Sequence, residues 1–399
     1  MADADVVVVG GGPAGMMAGL LLARAGISTL VLEKHADFFR DFRGDTVHPS
    51  TMEVLDQLGM LGRFLQRPHD KVHGAQIRIA GRDYSIGDLS HLETPAPFIA
   101  MMPQWDFLDF LRGEAGAFPA FKLEMKAEAM GFIETDGRVI GVTLADGREV
   151  RAGKLVLMTD GRGSLVRRQA MLPLTQIGAP MDVFWFRLPK APHEGELLRG
   201  AIDTGRMAVL IDRRAYWQAA FLIPKGSAED VKMRGIGWLR DQFSALFPEL
   251  DLSGGLESPE DLFLLSVALD RLERWHRPGL LAIGDAAHAM SPIGGIGINL
   301  AIQDAVAAAN ILAAPLSRGE NVDHLLVRVQ ERREWPTRVI QRGQKLAQDN
   351  VIGAVLSGAP ITKAPLAIRL LDRFPLLRRI PGRIIGLGVR RERVESPMA

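Results

Sequence analysis

Four groups of residues have types and spacings that chemistry can use. Gly10, Gly12 and Gly15 form G-x-G-x-x-G, and Glu33 and Lys34 follow further along. The first glycine of such a run permits a tight turn, the second lets a pyrophosphate approach the backbone, and the third lets a helix lie close to a strand. A carboxylate at Glu33 can accept hydrogen bonds from both ribose hydroxyls, which suits the ADP half of FAD or NAD and disfavours NADP. Asp160, before Gly161, and Asp285 each end an apolar run, where an acid is either a cap or a ligand contact. Pro292, Gly294, Gly295 and Gly297 leave almost no side-chain bulk, which gives close backbone approach to a flat ligand. A helix expected from Gly297 would offer its positive N-terminal end to negative charge developing there.

The elements that must position these groups can be read in order. Val6 to Val9 is a β-branched run of the kind found in the middle of a parallel sheet. A helix with the small residues Ala14, Ala18 and Gly19 follows, then a strand from Ser28 to Leu32, completing a βαβ unit. A hairpin is expected over 75–86 around Gly81, and a short strand over 98–102. Gln104 then falls at a strand-to-helix junction, a usual position for ligand contact. Turns at Asp136-Gly137 and Asp146-Gly147 shape a meander over 127–158. From 181 to 224 the chain reads as strands with large aromatics and arginines, one face lining a cavity; Tyr216 lies on one of them. A helix is expected around 233–247, a strand over 262–269 and another over 279–283. Ile298, Ile302 and Val306 recur four apart on the following helix. A charged helix over 325–348 is expected to be interrupted at Pro336. The arginine-rich apolar tail, 365–394, is broken by Pro375, Pro381 and Gly382 and is expected to pack on the body rather than bind an anionic membrane.

Composition narrows the function further. The 399 residues carry a formal net charge of +1, which gives no global reason for nucleic-acid binding. The absence of cysteine excludes disulfides, thiolate metal sites, cysteine nucleophiles and cysteinyl-flavin linkages. The nine histidines show no metal-ligand spacing, so no metal is expected. Asp3 and Asp5 stand where an export signal carries positive charge, and glycine breaks the first apolar run; a cytoplasmic enzyme without a membrane span is expected.

Taken together, GGGPAG at 10–15, TDGRGSLVR at 159–167 and GDAAHAMSPIGGIGIN at 284–299 resemble the single-component (class A) FAD-dependent aromatic monooxygenases, the p-hydroxybenzoate hydroxylase-like family. The resemblance implies an α/β fold: a glutathione reductase-type, Rossmann-like FAD domain (1–73, 104–179, 271–323), an inserted β-sheet substrate domain (74–103, 180–270) and a C-terminal helical region (324–399). It assigns the ADP part of FAD to Gly10, Gly12, Ala14, Gly15, Glu33 and Lys34, and a phosphate to Arg43. Gln104 and Asp160-Gly161 are further FAD contacts, the latter pair also serving the nicotinamide. Asp285 holds the ribitol, and Pro292, Gly294, Gly295, Ile296, Gly297, Ile298 and Asn299 lie against the flavin ring. The implied reaction uses NAD(P)H and molecular oxygen, through a C4a-hydroperoxyflavin, to hydroxylate a small aromatic or lipophilic molecule. Thr159 departs from the family's usual alanine.

Pro292 and Gly295, at the ring, and Tyr216 and His48 are the candidate catalytic residues; packing and helix-start roles compete for the last two. A reductase or halogenase of the same fold is the enzymatic alternative, although YWQAAFLIP lacks the second tryptophan of the halogenase W-x-W-x-I-P. A flavoprotein that binds a ligand without turnover is the other. A homodimer is compatible with the sequence.

Overall fold

The structure is a computed structural model and describes residues 2–39, 46–169, 172–190, 199–213, 216–252 and 254–399. Val6, Val7 and Val8 are fully buried because the strand Ala4–Val9 lies inside a sheet covered on both faces. It pairs in parallel with Thr29–Glu33 on one side and Glu149–Met158 on the other. Phe121–Met125 and Leu280–Ala282 extend the parallel sheet, and the meander strands Ala129–Thr135 and Arg138–Leu144 branch from it antiparallel. The helix Pro13–Arg24 crosses the long helix Gly297–Ser317 closely. A Cβ at Gly284 would sit 3.1 Å from Ala14 Cβ and 3.2 Å from Ala301 Cβ, so small residues set this approach. The long helix is apolar and long enough to cross a membrane, but it is mostly buried as a core helix.

A second sheet runs in the order Phe263–Leu265, Met181–Pro189, Tyr216–Pro224, Arg206–Asp212, Arg199–Asp203, Gly74–Ile79 and Arg82–Asp88. Strand alternation gives it two apolar faces. Phe184, Phe186, Trp217, Ala219 and Phe221 pack under the helices Ala228–Met233 and Gly235–Leu246. Trp185, Val209, Ile211, Ala220 and Leu222 point the other way, toward Met101, Ile293, Ile385 and Leu387. The strand Ile99–Met101 lies outside this sheet and pairs with Thr46–Val47 and Asp70–Val72.

One local expectation is corrected. The helix Leu326–Ala347 is not interrupted at Pro336. Proline costs a helix interior about 3 kcal/mol, but Pro336 lies on the buried face with Val329, Thr337 and Ile340, where packing offsets that cost, and Thr337 Oγ1 donates to the Arg333 carbonyl at 2.9 Å. The helix expected around 233–247 is present as Gly235–Leu246, and Gly235, with φ +82°, turns the chain between it and a preceding helix, Ala228–Met233.

Candidate active site

The glycine loop brings distant residues together. Gly10 has φ +107°, and a Cβ there would lie 2.6 Å from the Thr159 carbonyl oxygen. A Cβ at Gly15 would enter the Gly10 carbonyl and come 2.6 Å from Thr159 Oγ1. By contrast, a Cβ at Gly12 meets nothing within 4 Å, so the chain leaves open the place where a pyrophosphate would lie. Thr159 Oγ1 lies 2.9 Å from the Val9 carbonyl and 2.8 Å from the Gly10 carbonyl, within donating distance of both, which ties the turn to the neighbouring strand end. The departure from alanine therefore has a structural role that the sequence alone does not reveal.

Glu33 ends its strand and accepts from the Gly11 amide (Oε2, 3.0 Å) and the His35 amide (Oε1, 3.0 Å). Lys34 is exposed beside it. Gln104 begins the helix Gln104–Ala115, three residues after the strand Ile99–Met101 ends. Arg43 lies outside the described residues.

Asp160 Oδ2 accepts from the Leu165 amide at 2.8 Å, while Oδ1 is buried without a partner. Burial raises the pKa of this carboxyl above its ordinary value, against the lowering effect of the Ser164 hydroxyl beside it and of the Leu165 bond. Gly161 follows with φ +80°. Asp285 Oδ2 accepts from Arg162 Nε at 3.2 Å, and Arg162 Nη2 donates to the Met290 carbonyl at 2.9 Å. Arg162 thus joins the two strand ends that carry the acids. It stands inside the second motif, but nothing in its spacing marks it as a clamp.

Pro292 to Gly295 form a short turn, with φ +77° at Gly294 and +62° at Gly295, before Ile296 and the helix that starts at Gly297. Thr46 Oγ1 donates to the Gly295 carbonyl at 2.9 Å. A Cβ on Gly295 would stand 2.5 Å from that same hydroxyl, so a side chain there meets protein before any ligand. Asn299 is the knot of the loop. Its Oδ1 accepts from the His48 amide at 2.8 Å and Thr51 Oγ1 at 2.7 Å, and its Nδ2 donates to the Thr46 and Gly295 carbonyls at 3.3 Å. From the far side, Gln344 Nε2 donates to the Ser291 and Ile293 carbonyls, each at 3.0 Å. Ile298 packs on the main core. A glutamine on a charged helix gave no sequence signal of this bracing.

His48 is fully buried at the start of the helix Pro49–Gln57. Its Nδ1 lies 2.8 Å from the Ile385 carbonyl, which requires Nδ1 to donate, and Nε2 has no partner. Burial lowers its pKa from 6.5 to about 4, against the raising effect of the Ile385 bond. The unfolded chain therefore binds a proton that the folded one refuses between those values, and stability falls as pH drops through that window. We expect a loss of up to roughly 3 kcal/mol from this group. His48→Asn keeps a donor near Ile385 but does not titrate, so urea midpoints measured across the window should fall less steeply in the variant.

Tyr216 begins its strand opposite Pro189, half-buried, with the Arg187 guanidinium 4.9 Å from its ring centroid. By strand alternation it shares a face with Gln218 and Ala220, the face turned toward the ring loop. Arg213 Nε donates to Gln218 Oε1 at 2.9 Å beside it. Thr159 joins the glycine loop to the strand end at Asp160, Arg162 joins that segment to Asp285, and Ile293 of the turn packs against this apolar face, whereas Lys34 is exposed and joins none of these contacts in the described residues.

The open space at Gly12 and the unpartnered, buried Asp160 Oδ1 fit a dinucleotide with sugar hydroxyls to donate. Residues 3–343 match the FAD binding domain family. A 6-methylpretetramide 4-monooxygenase of Streptomyces rimosus is 33% identical over 389 residues, covering 96% of this chain and 92% of that one. A para-nitrophenol 4-monooxygenase of a Pseudomonas species is 25% identical and covers 80% of each chain. Among solved structures, an anhydrotetracycline hydroxylase of Streptomyces rimosus has TM-score 0.74 at 24% identity, covering 98% of this chain and 77% of its own. A flavin-dependent brominase has TM-score 0.75 at 18% identity, covering 98% and 94%, a likeness of fold alone. The chain belongs to the FAD binding domain family. It is a class A FAD-dependent aromatic monooxygenase, with NAD(P)H the usual reductant of the family, and the reductase and halogenase alternatives are not favoured.

Proposed function

We propose that the substrate is a hydroxylated polycyclic aromatic. The observation that carries this is the 33% identity, over nearly the whole of both chains, to an enzyme named for 6-methylpretetramide. The long apolar face with Trp185, Val209, Ile211, Ala220 and Leu222 supports it, since a fused-ring molecule needs extended apolar contact. Bound FAD supplies the redox chemistry, passing reducing power from NAD(P)H to oxygen and one oxygen atom to an electron-rich ring.

The chain's own residues bind, orient and keep the site dry. Gly10, Gly12 and Gly15 shape the pyrophosphate turn, and Glu33 has the chemistry to hold the ribose. Asp160 Oδ1 would accept a hydrogen bond from a sugar hydroxyl, and Asp285, braced by Arg162, would accept one from the ribitol. The turn Pro292–Gly295 presents backbone to the ring, and the helix from Gly297 lends its positive end to charge there. His48, fully buried with Nδ1 on the Ile385 carbonyl, braces the helix start behind the turn Pro292–Gly295 rather than touching substrate, and its lowered pKa of about 4 keeps it neutral there. Tyr216 and Arg187 form the polar end of the face. The protein works in the cytoplasm, where reduced nicotinamide is available.

The test is NAD(P)H oxidation by the FAD-loaded enzyme with fused-ring phenols against single-ring phenols, under labelled dioxygen. Fused-ring compounds should accelerate oxidation more and yield product with one labelled atom. Stimulation by single-ring phenols alone overturns the substrate class. Product without label contradicts oxygen transfer.

A further inference from the structure

The tail has two sides of opposite character. The helices Leu366–Arg373 and Arg379–Leu387, joined by the turn Pro375–Arg378, lie along the strand Arg82–Asp88. Gly382 and Gly386, four residues apart, form the inner side of the second helix. A Cβ on Gly382 would reach 2.7 Å from the Asp88 carbonyl carbon, and one on Gly386 2.7 Å from a Leu92 methyl. This close fit fixes the rotation of the helix and commits Ile380 and Ile384 to the outside. Leu376 is 69% exposed, Leu366 63%, Ile380 59% and Phe374 51%. The expectation that this segment packs on the body therefore describes only its back.

Basic residues flank the exposed apolar ones. Arg369, Arg373, Arg379 and Arg383 are all exposed. Between 361 and 389 there are six basic residues and one acid, in a chain whose whole net charge is +1. That acid, Asp372, is turned inward: its Oδ1 accepts from the Ser85 amide at 3.1 Å, and its carboxylate pairs with Arg82 and Arg378. The outer face is thus apolar and cationic, with its one carboxylate engaged elsewhere. Large apolar side chains among arginines are the pattern of a segment lying in a lipid headgroup layer, where arginine stems lie along the acyl boundary and guanidinium groups meet phosphates. Two-fold self-association would bring the same arginines against one another, which disfavours a second copy as the occupant.

We propose that this outer face, Leu366 to Ile384, docks on an anionic lipid bilayer. The same helix packs Ile385 and Leu387 against Trp185, Val209 and Ile211 of the second sheet, so docking sets that apolar face close to the lipid surface. FAD-loaded full-length protein is floated with vesicles rich in phosphatidylglycerol and with vesicles of phosphatidylcholine alone, and its mass in solution is measured by light scattering. The wild type should partition onto the anionic vesicles and be released by salt. The double variant Leu376→Glu with Ile380→Glu should partition at least about tenfold less, with unchanged flavin spectrum and melting temperature. Arg373→Glu with Arg379→Glu gives an independent second variant, also expected to lose binding. Absence of wild-type partition, or equal partition of wild type and both variants, overturns the proposal. A wild-type dimer that the first double variant converts to monomer, without vesicle binding by either, overturns it in favour of a second copy.

Discussion

Gly12→Val yields a folded protein that has lost its flavin, whereas Gly15→Val yields little folded protein at all. The two glycines belong to one motif, yet their surroundings differ. Gly12 has φ −72° and ψ −176°, extended backbone open to any residue, and its Cβ direction is empty of protein. A valine there meets only the cofactor, and at least a hundredfold weaker FAD binding is expected, about 3 kcal/mol. At Gly15 the added carbon strikes the Gly10 backbone, which cannot move without breaking the turn and its hydroxyl tie from Thr159. Flavin absorbance per chain and far-ultraviolet circular dichroism separate the two outcomes. Gly12→Val retaining its full flavin content would remove that residue from the pyrophosphate site.

Asp304→Ala is expected to cost roughly 3–5 kcal/mol, a large part of what holds an ordinary domain folded. This carboxylate is completely buried on the long helix and carries four elements at once. Its Oδ2 accepts from the Gly284 amide at 3.0 Å and lies 2.6 Å from His288 Nε2; its Oδ1 accepts from Arg333 Nε at 2.8 Å. Arg333, also completely buried, reaches on to Glu392 and to the Arg390 carbonyl. Removing the acid leaves the arginine with only part of its compensation and frees the turn before Asp285. Burial alone would raise the Asp304 pKa, but His288 and Arg333 hold it below its ordinary value. Its contribution is therefore complete above the usual carboxylate range and fades only as pH falls below it. Denaturant midpoints for Asp304→Ala and Asp304→Asn check this: the amide, which keeps part of the bonding, should lose less. An Asp304→Ala midpoint equal to wild type would contradict the role.

The features legible in the sequence were those whose causes are local. Four valines, three glycines and an acid report a strand, a turn and a strand end because each is set by its own neighbours. The hairpin about Gly81 and the helix starts at Gln104 and Gly297 follow for the same reason. Thr159, Arg162, Gln344 and Asp304 were not legible, because each acts on residues far along the sequence, up to 150 positions away, that local spacing does not bring together. Pro336 was misread because its propensity is local while its burial is not. His48 shows the limit from the other direction. Its helix-start position could be read, but its exclusion from water depends on Ile385, which lies on the tail.

The order in which strands find their neighbours also bears on how the chain is made. Val9 pairs with Leu32 early, but its other neighbour, Met158, and then Ala282 beyond that, emerge from the ribosome much later. The helix that covers Pro13–Arg24 ends at residue 317. At ordinary elongation rates the apolar side of that first helix waits about 15–60 s for its cover. The nascent chain thus carries Met16, Met17 and Leu20 unprotected while most of the enzyme is still being translated. Chaperone shelter during that interval is therefore expected to raise the amount of folded enzyme made in a cell without changing the finished enzyme.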